Sequence, residues 1–185
     1  LIRAANVLPI VRFLEANGRN AQPFLDAADL GYWFALSPKD PIPLLNGITL
    51  LHGVAQSFGP DVGARIVSQG TIPELAYIGQ VALGARTPGE ALRRVALAIP
   101  LHSSHEKIRV SLDVGRATLR HQLTVRVDPA ALHAVHVMFC SLMQQLCMMT
   151  GSPLPCIIEI AAPPHPKVGM DVLKSLTRAR VVVGQ

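Results

Sequence analysis

Charged side chains and aromatic rings are both scarce in this chain: Asp, Glu, Lys and Arg make up 16% of its 185 residues, and Phe, Trp and Tyr 4%. An average soluble domain carries ~25% charged residues, and a disordered chain combines high charge with little apolar material. With 50% hydrophobic residues the composition excludes disorder, so the chain folds or associates. At ~100–200 residues per domain it has room for one domain with a substantial core. Cysteine is scarce too. Cys140, Cys147 and Cys156 are odd in number and form no C-x-x-C pair, which is poor material for a disulfide framework and suits a reducing cytoplasm.

Enzyme signatures are missing: there is no G-x-G-x-x-G, no G-x-x-x-x-G-K and no G-x-S-x-G. His105-Glu106 lacks the second histidine of a zinc-protease helix. Ser104 to Lys107 has the serine-to-lysine spacing of penicillin-recognising enzymes, but Lys107 opens a strand pattern and the companion motifs are absent. No segment has the layout of a signal peptide. The chain starts at Leu1 rather than Met, and is expected to be part of a longer protein.

Two windows without Asp, Glu, Lys or Arg, residues 41–60 and 129–158, raise the question of a membrane. The second holds His133, His136, Gln144 and Gln145, which are costly at mid-bilayer, so buried helices are expected and no membrane partner. The net charge is +5 and the pI 9.6. Residues 1–92 carry six Lys/Arg against seven Asp/Glu, and residues 93–185 eleven against five. The basic side chains come singly or in pairs, without aromatic interleaving, which is not the footprint of a nucleic-acid groove.

Val7, Ile10, Val11 and Leu14 recur at the helical period up to Gly18; a short helix over 22–28 follows. Residues 31–43, with Ser37-Pro38 and Asp40-Pro41, read as a loop able to carry a lid. Leu44, Ile48, Leu51 and Ala55 mark the next helix, and Asp61 caps another through Ile66. Thr71-Ile72-Pro73-Glu74 and Thr87-Pro88-Gly89-Glu90 match the capping box. Two helices are expected there, the second ending before Pro100.

From Lys107 the period becomes two: Ile108, Val110 and Leu112, then Leu119, Leu123, Val125 and Val127, make the dry face of a hairpin turning at Asp113-Val114-Gly115. Asp128-Pro129 launches a helix of about twenty residues, apolar nearly all round. A strand through Cys156, Ile158 and Ile160, a helix over 168–178 and a strand over 179–183 close the chain.

The run Ile42-Pro43, then Gly59-Pro60-Asp61-Val62-Gly63, then Ile78 to Leu83 followed by Thr87-Pro88-Gly89-Glu90-Ala91-Leu92, resembles the N-terminal effector-binding domain of AraC-type transcription regulators. The branch resembled is the predominantly helical one, not the jelly-roll arm. The closing Ala179-Arg180-Val181-Val182-Val183-Gly184 is similar to the end of that domain. The resemblance implies a cytoplasmic homodimer that binds a small-molecule effector, with no cofactor. DNA binding would belong to a following helix-turn-helix domain, which this sequence does not contain.

The expected fold is α+β: a mostly helical single domain, residues 1–185, packed on a small antiparallel sheet built around a hairpin, serving for effector binding and dimerisation. A pocket of this kind is mostly apolar with a few placed polar groups, and the low charge predicts a partly apolar effector such as a fatty acid, an aromatic compound or an amine. Its candidate lining is Trp33, Tyr77, His102, His121, His136, Phe139 and Cys140. His121 falls in phase with the dry face, and a buried polar group left unsatisfied costs ~1–3 kcal/mol, so it needs a neighbouring side chain or a ligand. The alternative is a metal or redox sensor: His133, His136 and Cys140 stand three and four apart on one helical stripe, and imidazole with thiolate suits zinc or copper.

Overall fold

The computed structural model of the chain describes residues 1–67, 71–113, 116–151, 157, 159–162, 171–178 and 180–183. A two-residue strand β1 (Ile2–Arg3) and a 3-10 turn (Ala4–Val7) lead into α1 (Leu8–Ala16) and α2 (Gln22–Ala27). Strand β2 (Pro41–Ile42) pairs antiparallel with β1. Helices α3 (Leu44–Phe58), α4 (Val62–Ile66), α5 (Thr71–Glu74), α6 (Ala76–Leu83) and α7 (Pro88–His102) follow. The hairpin is β3 (Glu106–Asp113) with β4 (Arg116–Leu123), then come the long α8 (Pro129–Met149), β5 (Glu159–Ala162), α9 (Asp171–Thr177) and β6 (Arg180–Val183).

The mostly helical α+β class is as expected, but the described strands form three separate pairs rather than one sheet. The last pair, β5 with β6, runs parallel, with α9 as its crossover. Sequence patterning gave no sign of the β1–β2 bridge, because two residues carry no period. The expected hairpin turn at Val114-Gly115 and the Cys156 and Ile158 positions lie outside the described residues, as do residues 168–170 and 179.

The capping boxes part company. Thr87 accepts from the Glu90 N–H at 3.2 Å, and the Glu90 carboxylate reaches back to the Arg86 N–H at 2.9 Å. Thr71 instead lies inside the short α5 and donates to Ile66 O, while Glu74 pairs with Arg12 of α1. The helix expected to run on from Thr71 breaks at Leu75 and restarts as α6. At Gly79 an added Cβ would lie 2.0 Å from Ile72 O, so a glycine lets α6 fold back against α5.

Contrary to expectation, α7 continues through Pro100 to His102. An internal proline removes one backbone hydrogen bond. Here it stands in the last turn with its ring exposed, and the Ser103 N–H still closes on Ile99 O at 2.8 Å. The consequence is that His102 points inward from a helical turn instead of sitting in a loop.

Helix α8 is the spine. Asp128 caps it, accepting from the N–H groups of Ala130 and Ala131. Among the described residues it is the helix long and apolar enough to cross a membrane, yet it packs against α3, α4, α5, α7 and α9. Ala131 and Ala134 join the core of α1 to α4, Leu146 joins that of α5 to α7, and Val137 meets Leu173 of α9. The hairpin lays Ile108, Val110 and Leu119 on the second of these cores.

Candidate functional site

The site grows from the two-residue period of the hairpin. In β3, Glu106, Ile108 and Val110 are half-buried while Lys107 and Arg109 are exposed. Glu106 therefore shares the dry face. The register pairs Ile108 with His121 and Glu106 with Leu123, which sets Glu106 diagonally beside His121. The Glu106 carboxylate meets His121 Nε2 at 2.9 Å, with side chains 18% and 7% exposed.

Helix α8 supplies the opposite wall. The Phe139 ring stacks on His121 with centroids 4.2 Å apart and planes at 13°, and His136 meets His121 edge-on at 6.2 Å. From the last turn of α7, buried His102 reaches Asn6 Oδ1 through Nε2 at 2.7 Å. Glu106 acts on His102 electrostatically as well, so one carboxylate is shared between histidines of β4 and α7.

Burial dominates the titration of His136 and His102. His136 is pushed down to about 4, first by burial and then by its neighbours His121 and His133. His102 is lowered by burial, with Glu106 pulling the other way and Arg3 adding to the depression. Burial also raises the Cys140 thiol to about 11, which leaves it a neutral thiol at neutral pH. A carboxylate only accepts hydrogen bonds, so in the neutral ring His121 carries its hydrogen on Nε2. The bond to Asn6 Oδ1 places the hydrogen of His102 on Nε2 too. Nδ1 of both rings, and the hydroxyl of Ser103, are buried with no hydrogen-bond partner among the described residues.

Of the residues nominated from sequence, His121, His136 and Phe139 meet directly, and His102 joins them through Glu106. Cys140 instead borders the small cluster of Val137 and Leu173. Trp33 does not belong to a lid: its indole donates to Ala4 O at 2.9 Å and its ring packs on the first core. Tyr77 is 53% exposed on α6. The metal alternative finds no support, since among the described residues no three His, Cys, Asp or Glu side chains are grouped to hold an ion. His136 meets His121 of the hairpin, whereas Cys140 lies against Val137 and Leu173.

Sequence reasoning missed Glu106, Asn6 and Ser103. Only Glu106 had a legible signal: the alternation of 108, 110 and 112 extends back to 106. Asn6 and Ser103 arrive through tertiary packing. Two clefts form elsewhere. The larger, about 400 Å³, lies between α2 and α3 and includes Phe24, Thr49, His52 and Gln56. His52 there also has a buried Nδ1 without a partner among the described residues. No charged side chain lines that cleft, however, and His52 and Gln56 bond each other at 3.0 Å. The smaller, about 20 Å³, has room for no more than a water. The converging polar groups between the hairpin, α7 and α8 are therefore the better candidate, although neither cleft reaches them.

No individually curated protein matches this chain. The family model of the arabinose-binding domain of AraC transcription regulators, N-terminal, matches residues 18–185. The chain belongs to the family of N-terminal arabinose-binding domains of AraC transcription regulators.

Proposed function

We propose that residues 1–185 form one effector-binding and dimerisation unit, which takes a small, partly apolar organic molecule at the seam between the hairpin, the end of α7 and α8. The family makes it a ligand-sensing regulatory domain and points away from catalysis. The observation that carries the location is the buried Nδ1 of His121, without a hydrogen-bond partner among the described residues, in the ring that stacks on Phe139. Polar atoms in that condition cost ~1–3 kcal/mol each until something hydrogen-bonds to them.

Neither cleft opens onto the seam, and the entry proposed for a ligand is a parting of the hairpin from α8. Binding then favours the parted arrangement over the closed one, and a ligand shifts an equilibrium only by such a difference in affinity. An attached DNA-binding domain would read that shift. The compartment proposed is the cytoplasm, which suits three cysteines without a C-x-x-C pair.

Thermal denaturation against a panel of fatty acids, aromatic compounds and amines tests the location. A compound that raises the Tm of the unaltered chain is expected to lose its effect in Phe139→Ala. A stabilising compound whose effect survives both Phe139→Ala and His121→Ala, but not His52→Ala, would move the site to the α2–α3 cleft.

A further inference from the structure

The hairpin has a second face, turned to solvent. The two-residue period that leaves Glu106, Ile108 and Val110 half-buried sets Lys107, Arg109 and Ser111 outward on β3, and Thr118, Arg120 and Gln122 outward on β4. The register places Arg109 directly opposite Arg120 and Lys107 directly opposite Gln122. Three basic side chains therefore occupy two adjacent pairs on one face. Along the chain they come singly, and only the pairing of the strands gathers them.

Like charges directly opposite one another destabilise a ribbon, and a surface that serves solubility alone intersperses the two signs. Among the described residues Lys107, Arg109 and Arg120 have no ion-pair partner. Glu106 is committed to His121 on the inward face. Asp113 shares the outward face but lies four residues beyond Arg109, ~13 Å away along a strand. That exceeds the ~8 Å over which exposed charges act on each other at physiological ionic strength, so the positive patch stays unneutralised.

A patch of one sign fits a polyanion. Ser111, Thr118 and Gln122 fill the neighbouring positions of the face, and together with arginine and lysine these are the side chains that contact phosphate oxygens along a duplex. Carboxylates of an acidic protein could meet the same arginines. The chain belongs to a family of transcription regulators, however, and the polyanion on which a transcription regulator works is DNA.

We propose that the outward face of the hairpin binds the phosphate backbone of duplex DNA through Arg109, Arg120 and Lys107, without reading its sequence. The contact supplements an attached DNA-binding domain, which would hold the duplex at high effective concentration beside this face. Sequence choice stays with that domain.

The test is fluorescence anisotropy of a short labelled duplex of random sequence, titrated with the unaltered chain between about 50 and about 200 mM potassium chloride. Log affinity is expected to fall against log salt with a slope of about −3, one phosphate for each basic side chain. Arg109→Gln combined with Arg120→Gln is expected to flatten that slope by about two, and to leave the Tm no lower, because it removes a like-charge pair. Arg19→Gln combined with Lys39→Gln takes the same charge from exposed positions outside the hairpin and is expected to leave the slope as it was. Equal flattening in the two double variants would assign the binding to net charge and overturn the face. An unaltered chain that binds no duplex at the lowest salt overturns it as well. Poly-L-glutamate bound as tightly as the duplex at equal ionic strength overturns the assignment to DNA and makes the partner an acidic protein.

Discussion

His136 couples the seam to acidity. Its ring is held down to about 4 in the folded chain against an ordinary 6.5, because burial and the neighbouring His121 and His133 disfavour its charged form. Between those two values the unfolded chain binds a proton that the folded chain refuses. The stability due to this ring is therefore complete above pH 6.5 and is lost as pH falls toward 4. A shift of that size corresponds to about 3 kcal/mol, to which the lowered His102 adds in the same direction. Urea midpoints measured from pH 7.5 down to 4.5 are expected to fall steeply. His136→Leu should flatten that acid limb, and an unchanged limb would show that the ring is hydrated in the folded chain. Cys140, held as a neutral thiol, is by the same logic a poor nucleophile and a poor metal ligand at neutral pH.

At the scale of elements, glycine decides how closely helices approach. A Cβ at Gly63 would lie 2.7 Å from the Met138 backbone nitrogen and 3.1 Å from Ala134 O, atoms of α8 that cannot swing aside. Gly63→Ala is expected to cost about 1–3 kcal/mol through overpacking. Gly53 of α3 has nothing within 4 Å of the added atom, so Gly53→Ala should gain up to ~1 kcal/mol from helix propensity. Opposite signs in thermal denaturation would establish the α4–α8 contact; equal signs would refute it. The same contact sets the rotation of α8, and with it the side from which His136 and Phe139 reach the hairpin.

For the whole molecule, the most exposed of the large apolar side chains among the described residues are Leu97 and Leu101 of α7, 82% and 65% accessible and one turn apart. We propose that this face forms the dimer, since homodimers bury such patches. Sedimentation equilibrium is expected to show a dimer that Leu97→Glu dissociates, with the helical circular dichroism retained and the Tm no longer dependent on protein concentration. A chain that is monomeric throughout would remove dimerisation from the role of this domain. The placement has a consequence for sensing: α7 also ends at His102, so one rigid element would join the dimer face to the ligand seam.

The amino-acid sequence by itself determined the α+β class, the hairpin, the long α8 with its Asp128 cap, and the inward phase of His121, because each is written in a local period or cap. It also carried the family, through caps and packing glycines. Tertiary structure decided what those elements do together. Pro100 stays helical only because a last-turn proline forfeits a single hydrogen bond, and that brings His102 inward. Trp33, nominated for the pocket lining from its loop position, donates its indole N–H to Ala4 O. The meeting of Glu106, His121, His102 and Phe139 joins residues of β3, β4, α7 and α8, and no spacing along a chain encodes a contact between elements whose mutual packing sets it.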